Sequence, residues 1–237
     1  MNRLRVFLLV LFAVVSATAT GRILLVAVGI NDYVNQRPLH LCVHDAEVMN
    51  WLYKDHQGAT TSLILNANAT IENIVQTMEE LFGSATENDQ IVFYFSGHGT
   101  RSGLCCYDGV LSFKRVRNIM AESRAGQRMI FADTCFSGKM RKSKSESTSS
   151  LSDFDFMLFL ASRGNETSRE KKGMKNGIFT AYLQRGLRGG ADYNKDRTIT
   201  AKELFTFVSN GVKEMSEDKQ HPVMWGKFDD NMVIMKW

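Results

Sequence analysis

Five apolar runs along the chain have the length and composition of buried β-strands. Each run is bounded by polar residues, and together they occupy 22–30, 62–66, 90–97, 128–133 and 154–162. Nearly continuous apolar runs of this length are typical of parallel strands that are covered on both faces. The runs therefore predict the core of a mostly parallel sheet.

The segments between these runs have the pattern of amphipathic helices. Their apolar residues recur at three- and four-residue spacing over 44–56, 71–84, 112–123, 177–188 and 200–215. Thr70 stands immediately before the second of these segments, where its hydroxyl can cap the helix. The alternation of strands and helices predicts an α/β fold in which crossover helices cover both faces of the sheet.

The segment 138–150, GKMRKSKSESTSS, departs from this pattern because Met140 is its one apolar residue. It stands between two predicted core strands. A polar, lysine- and serine-rich composition of this kind predicts a long mobile loop.

The N-terminal segment has the pattern of a secretory signal peptide. Arg3 and Arg5 precede an apolar run over 6–15, and small residues follow up to Ala19. A membrane span needs about 20 apolar residues, roughly twice the length of this run. We expect residues 1–19 to be removed on export, which leaves a secreted or periplasmic domain, 20–237, without a stable membrane anchor.

Charge and cysteine content narrow the function classes. The chain carries 29 Lys and Arg against 25 Asp and Glu, and no basic block is interleaved with aromatic residues. Nucleic acid is therefore not an expected partner. Four cysteines among 237 residues are too few for a disulfide framework. One or two bridges are still permitted, and the adjacent pair Cys105 and Cys106 is left unassigned.

Two predicted strand ends carry the residue types of a thiol hydrolase. One strand runs into SGHG (96–99) and another into ADTCFSG (132–138). Ligands bind at the carboxyl ends of parallel strands, and an imidazole near a thiol can take its proton. Either residue alone is more often a packed core group. Their joint placement predicts His98 and Cys135 as a catalytic pair.

These two motifs, YFSGHG and ADTCFSG, resemble the paired His-Gly and Asp-x-Cys motifs of the caspase, metacaspase and orthocaspase superfamily. The resemblance extends over nearly the whole mature chain, through VGINDY, LCVHDAE and GIFTAYLQRGLRGGADYNKDRTIT. It implies a caspase-like (caspase-hemoglobinase) three-layer α/β/α fold with a mostly parallel central sheet of about six strands. It also implies a large-subunit-like part (20–137), a linker (138–150) and a small-subunit-like part (151–237).

The resemblance implies a role for each site residue. Cys135 becomes the nucleophile and His98 its proton-transfer partner, and the amides of Gly99 and Cys135 become the oxyanion hole. No third catalytic side chain is nominated. The implied activity is that of a cysteine endopeptidase acting on polypeptides.

The resemblance also implies a substrate pocket that prefers Arg or Lys. The basic pocket of metacaspases is formed by positions that match Cys42, Asp45, Ser96 and Asp133. Two plainer interpretations compete with it. Asp45 opens a predicted helix, where the helix dipole stabilises a carboxylate, and Asp133 ends a strand, where it can accept hydrogen bonds.

The linker suggests self-cleavage of a zymogen. It offers basic residues to an enzyme that would cut after them, namely Lys139, Arg141, Lys142 and Lys144. The alternative is that the linker is only a solvated tether.

Two rival functions remain. One is a catalytically silent relative that binds peptides in the same groove or has a regulatory role. The other is a metal-binding protein that uses His40, Cys42 and His44, although their spacing matches no closed metal site.

Calcium is not an expected cofactor. Many metacaspases bind it through acidic segments, whereas this chain reads LSFKRV over 111–116 and has cations soon after Cys135. A second candidate, 192–203, has EF-hand ligand spacing but carries Arg197 where such a loop requires glycine. An Asx-rich turn before a capped helix explains it more simply.

Activity should therefore persist in chelator. Peptide hydrolysis by the mature chain measured with and without EDTA should give equal rates, because no acidic calcium site is expected. A strict calcium requirement would contradict this prediction, and restoration of activity by added calcium would be its signature.

Overall fold

The structure is a computed structural model that describes residues 21–56, 58–100, 102–134, 156–162 and 173–236. The predicted signal peptide, linker and nucleophile (1–19, 138–150 and Cys135) lie outside the described residues. None of the described helices is long and apolar enough to cross a membrane.

A mostly parallel sheet forms the centre of the fold. In chain order the described strands are β1 (Ile23–Gly29), β2 (Ala59–Leu65), β3 (Gln90–Ser96), β4 (Gly103–Cys105), β5 (Val110–Ser112), β6 (Gln127–Asp133), β7 (Met157–Leu160), β8 (Thr198–Thr200), β9 (Val223–Trp225) and β10 (Val233–Lys236). Six of these described strands form the central sheet, in the order β2-β1-β3-β6-β7-β9. The first five in this order are parallel, and β9 joins the edge antiparallel to β7. The described pairs β4–β5 and β8–β10 lie outside this sheet.

In the part of the chain that the structure describes, five α-helices flank the sheet. They are α1 (Cys42–Lys54), α2 (Ile71–Gly83), α3 (Phe113–Glu122), α4 (Ile178–Arg185) and α5 (Ala201–Met215). Thr70 caps α2 as predicted, since its hydroxyl accepts a hydrogen bond from the Asn73 N–H. Thr200 and Glu203 form a capping box at the start of α5.

The strands bury both faces, which explains their continuous apolar sequences. Alternate side chains of β1 point to opposite sides: Leu24 and Val26 pack with α2 and α3, whereas Leu25 and Ala27 pack with α1, α4 and α5. Two apolar cores result, one on each side of the sheet. The predicted three-layer α/β/α architecture is confirmed.

Several predicted boundaries were wrong. The strand predicted at 62–66 begins at Ala59, because its first residues are polar threonines on the edge strand β2. The helix predicted at 44–56 begins at Cys42. The helix predicted at 177–188 ends at Arg185 and continues as a π-helical turn, Gly186–Gly190, in which Gly189 has a φ of 103°. A glycine permits this positive φ at little cost.

Strand register brings two of the predicted pocket residues, Ser96 and Asp133, side by side. Ser96 at the end of β3 pairs with both Gly29 of β1 and Asp133 of β6. Because the strands are parallel, their carboxyl ends meet at one edge of the sheet. The residues that follow them, including His98 and Thr134, start from that edge.

Candidate active site

His98 is held in place through its main chain and its ring. Its N–H donates to the Tyr33 hydroxyl at 2.8 Å, and its carbonyl accepts from the Cys105 N–H at 2.9 Å. The imidazole packs on the Tyr33 ring, with centroids 4.9 Å apart and planes 48° apart. These contacts leave the side chain few alternative positions at the end of β3.

A main-chain carbonyl orients the imidazole of His98. The Nε2 atom lies 2.9 Å from the carbonyl oxygen of Arg37. A carbonyl can only accept, so Nε2 carries the hydrogen and Nδ1 of the neutral ring keeps its lone pair. Nδ1 is therefore the atom able to take a proton from a thiol. A main-chain acceptor has no sequence signature, and the sequence alone could not identify it.

Two asparagines fix the loop that presents the Arg37 carbonyl. The Asn31 side chain donates to the His40 carbonyl at 3.3 Å and accepts from the Val43 N–H at 3.2 Å. The Asn31 N–H in turn donates to Oδ1 of Asn66 at 2.9 Å. The loop between β1 and α1 is thereby tied to the end of β2.

Asp45 lies almost fully buried beneath this edge of the sheet, with 1 % of its surface exposed. Its Oδ1 accepts from the Asn176 side-chain amide at 2.8 Å and from the Gly177 N–H at 3.1 Å. Its Oδ2 accepts from the Ser96 hydroxyl at 3.0 Å. Asp45 lies in the first turn of α1, as the simpler interpretation states. It also accepts hydrogen bonds from donors at the start of α4, which that interpretation does not include.

Asp133 reaches the same place from the end of β6. Its Oδ2 accepts from both the N–H and the hydroxyl of Thr180, at 3.2 and 2.8 Å. A Cβ atom at Gly177 would lie 2.5 Å from Asp133 Oδ2 and 3.2 Å from Asp45 Oδ2. Gly177 has an ordinary φ of −52°, so space and not backbone conformation requires glycine there. The two carboxylates converge on this one residue.

The electrostatics of the pair favour a cationic ligand. Burial raises the pKa of Asp45, and the nearby charge of Asp133 raises it further, against the effect of the hydrogen bonds from Asn176 and Ser96. Within the described ranges, no Lys, Arg or His forms an ion pair with Asp45. A cationic group that entered here would relieve the repulsion between the carboxylates.

Of the four predicted pocket residues, the structure brings Asp45, Ser96 and Asp133 together. Cys42 begins α1 one turn before Asp45, and its side chain is buried. The sequence did not predict the donors at Asn176, Gly177 and Thr180, which bind the carboxylates from α4 and the residues before it. The available signal was a glycine directly before an amphipathic helix.

Of the two predicted oxyanion donors, Gly99 lies within the described residues. Gly99 forms an antiparallel bridge with Leu104, flanked by hydrogen bonds from Cys105 to His98 and from Thr100 to Gly103. This is a non-hydrogen-bonded pair, so the Gly99 N–H points away from β4. The other donor, Cys135, directly follows Thr134 and lies outside the described residues.

The acidic loop 192–203 is an Asx-rich turn. Asp192 accepts from the N–H groups of Asp196 and Arg197, and Arg197 has a φ of 64°. Glu203 is bonded to Thr200 in the capping box of α5. These carboxylates serve the main chain of the turn.

The rival metal site at the start of α1 is not assembled. His40 precedes the helix, so it cannot share a helix face with His44, which contacts Glu47 instead. In the part of the chain that the structure describes, no group of three or more His, Cys, Asp or Glu side chains is arranged to hold a metal ion.

Known proteins match this chain in sequence and in structure. A family model described as Caspase domain matches residues 22–233. Metacaspase-1 of Scheffersomyces stipitis is 29 % identical over 92 residues, which cover 35 % of this chain and 23 % of that protein. Metacaspase-1 of Meyerozyma guilliermondii is 32 % identical over 92 residues, with 35 % and 22 % covered. The match thus spans less than a quarter of either relative.

Solved structures share the fold at low sequence identity. A protein from Geobacter sulfurreducens superposes with a TM-score of 0.68 at 16 % identity, covering 88 % of this chain and 95 % of that one. Caspase-1 from Spodoptera frugiperda gives a TM-score of 0.67 at 16 % identity, covering 92 % and 90 %.

The charge at Asp45 should cost stability. The pKa of Asp45 is raised in the folded chain, so its ionisation lowers the free energy of unfolding. This loss is complete at pH values above the raised pKa and fades as the pH falls towards the ordinary carboxyl range. Asp45→Asn should therefore raise the free energy of unfolding at neutral pH by about 1 kcal/mol. Urea denaturation at pH 7 and pH 5 measures this, and the gain should shrink at pH 5.

A second buried aspartate provides a control of opposite sign. Asp89 forms a salt bridge with Arg22 at 2.7 Å, and this partner lowers its pKa. Its stabilisation is present above the ordinary carboxyl pKa and is lost as the pH falls through the lowered value. Asp89→Asn should therefore destabilise the chain at pH 7. A loss of stability in Asp45→Asn would contradict the assigned cost.

Proposed function

Since the chain belongs to the caspase domain family, we propose that it is a cysteine endopeptidase that cleaves polypeptides after Arg or Lys. The observation that carries the proposal is the convergence of Asp45 and Asp133 at the carboxyl edge of the sheet, near His98. Both carboxylates are buried, and neutral N–H and hydroxyl donors of the described residues form hydrogen bonds with them.

This pocket favours a cationic P1 side chain for electrostatic reasons. A guanidinium or ammonium group would form charge-assisted hydrogen bonds, each worth about 1.5–3 kcal/mol in a dry site. An aspartate at P1 would add a third carboxylate to the Asp45 and Asp133 pair. The repulsion is strongest where water is excluded, so cleavage after Asp is disfavoured.

The proposed reaction uses His98 as the proton carrier. Nδ1 takes the thiol proton of Cys135, and the thiolate attacks the peptide carbonyl carbon. The N–H groups of Gly99 and Cys135 stabilise the oxyanion. The imidazolium then protonates the leaving amine, and water attacks the thioester with His98 as base, which releases the acid and restores the thiol. The carbonyl of Arg37, which accepts from Nε2, stabilises the imidazolium in both steps.

Two further features belong to the proposal. Residues 1–19 act as a signal peptide, so the enzyme works outside the cytoplasm. The basic segment 138–150 is cleaved by the enzyme itself, which converts a zymogen into two associated parts. The C-terminal part supplies Asn176, Gly177 and Thr180 to the pocket, so the two parts must stay together for the pocket to exist.

Peptide reporters that differ only at P1 test the specificity. We expect kcat/KM for the Arg and Lys reporters to exceed that for the Asp reporter by at least about two orders of magnitude, because a buried unpaired carboxylate is strongly rejected. Cys135→Ala is the control and should abolish turnover. Preference for the Asp reporter would contradict the pocket, and absence of all turnover and of labelling by an arginyl chloromethylketone would favour the silent relative.

Self-cleavage is tested by intact-mass spectrometry of purified wild type and Cys135→Ala. The wild type should be cut within 138–150, after a Lys or an Arg. Its spectrum should then show two fragments whose masses account for the whole mature chain. The variant should stay in one piece, since it lacks the nucleophile. Identical processing of both proteins would assign the cut to another protease.

A further inference from the structure

A buried chain of hydrogen bonds lies behind the Asp133 carboxylate. The Tyr94 hydroxyl lies 2.6 Å from the Thr180 hydroxyl, which lies 2.8 Å from Asp133 Oδ2. Tyr94 and Thr180 are fully buried, and Asp133 is 6 % exposed. The chain links the middle strand β3, helix α4 and the end of β6.

The two side-chain hydrogen bonds that link Tyr94, Thr180 and Asp133 can donate in one direction only. Thr180 has a single hydroxyl hydrogen, and the Asp133 carboxylate can only accept it. The Thr180 oxygen must then accept from Tyr94. Burial and the nearby charges of Asp45 and Asp133 raise the pKa of Tyr94 well above its ordinary value, so its hydroxyl remains a donor. Hydrogen bonds arranged in series polarise one another and strengthen the last one.

We infer that Tyr94 and Thr180 are positioning residues that set the affinity of the pocket for a basic P1 side chain without touching the substrate. This inference rests on the proposed function. Thr180 donates twice to the same oxygen of Asp133, once from its N–H and once from its hydroxyl. Two donors on one oxygen fix the orientation of the carboxylate, and the Tyr94 hydroxyl fixes the rotamer of the Thr180 hydroxyl.

Asp45 is oriented separately, by Ser96, Asn176 and Gly177. Loss of the Tyr94 hydroxyl should therefore loosen one carboxylate of the pair and leave the other in place. The contacts of His98 described above are with Tyr33, Cys105 and Arg37. None of these residues belongs to the hydrogen-bonded series of Tyr94, Thr180 and Asp133. The effect should consequently fall on binding of the P1 side chain and not on the chemical step.

The molecule offers a matched control for the tyrosine. Tyr53 of α1 is also fully buried, but its hydroxyl has no hydrogen-bond partner within the described residues. Tyr53→Phe removes a buried hydroxyl that forms no hydrogen bond with the described residues. Tyr94→Phe removes the same atoms and also the hydrogen bond to Thr180. The difference between the two variants isolates the hydrogen bond from the general effect of changing a core tyrosine.

The experiment measures steady-state cleavage of an Arg reporter and inhibition by benzamidine, a reversible cation that resembles the arginine head group. Tyr94→Phe should raise both KM and the inhibition constant about three- to tenfold, as expected for one lost hydrogen bond, with kcat within about twofold of wild type. Tyr53→Phe should match the wild type. Thr180→Val should weaken binding more than Tyr94→Phe, and Thr180→Ser should restore it, because serine keeps the hydroxyl.

Thermal unfolding of each variant separates a folding defect from a binding defect, and Tyr94→Phe carries the test if Thr180→Val does not fold. Unchanged benzamidine affinity in Tyr94→Phe would overturn the inference, as would an equal loss in Tyr53→Phe or a loss confined to kcat. A wild type that neither cleaves the Arg reporter nor binds benzamidine would overturn the proposed function and the inference with it. Wild-type cleavage after Arg together with unchanged Tyr94→Phe overturns the inference alone.

Discussion

Two buried carboxylates at the start of one helix are the constraint on which the candidate site depends. Asp45 comes from α1 and Asp133 from the end of β6, and both are bound by α4 and the residues just before it. Buried like charges oppose folding unless hydrogen bonds compensate them. Apart from the Ser96 hydroxyl, the described donors come from the C-terminal part of the chain, at Asn176, Gly177 and Thr180. The earlier and later parts of the chain are therefore joined at the place where specificity is proposed to arise.

The parallel register of β1, β3 and β6 makes this meeting possible. It sets Gly29, Ser96 and Asp133 side by side, and everything that follows these strands begins at one edge. The two apolar cores on either side of the sheet hold that register, because a slip by one residue would exchange their side chains. The stabilisation from apolar packing thus offsets the free-energy cost of burying polar groups that by themselves would weaken the fold.

Orientation at the site comes mostly from groups that carry no reactive chemistry. The Arg37 carbonyl sets the tautomer of His98, and Asn31 and Asn66 hold the loop that presents it. On the other side, Thr180 and Tyr94 orient Asp133 from the core. Rigid surroundings of this kind hold the His98 imidazole and the two carboxylates in fixed places.

The amino-acid sequence was enough to predict the chain order of the five parallel strands and of the helices, the three-layer architecture and the positions where polar residues leave the strands. These follow from periodicity and from strand ends, which are local properties of the chain. The sequence did not reveal Asn176, Gly177 and Thr180 as partners of the carboxylates. They meet Asp45 only when α4 packs against α1, and Asn176 is 131 positions from Asp45 along the chain. The sequence also did not reveal the Arg37 carbonyl, since main-chain acceptors look alike in every residue. The contacts of Asp45 with the start of α4, and the nitrogen of His98 that carries the hydrogen, depend on groups that only the folded chain brings together.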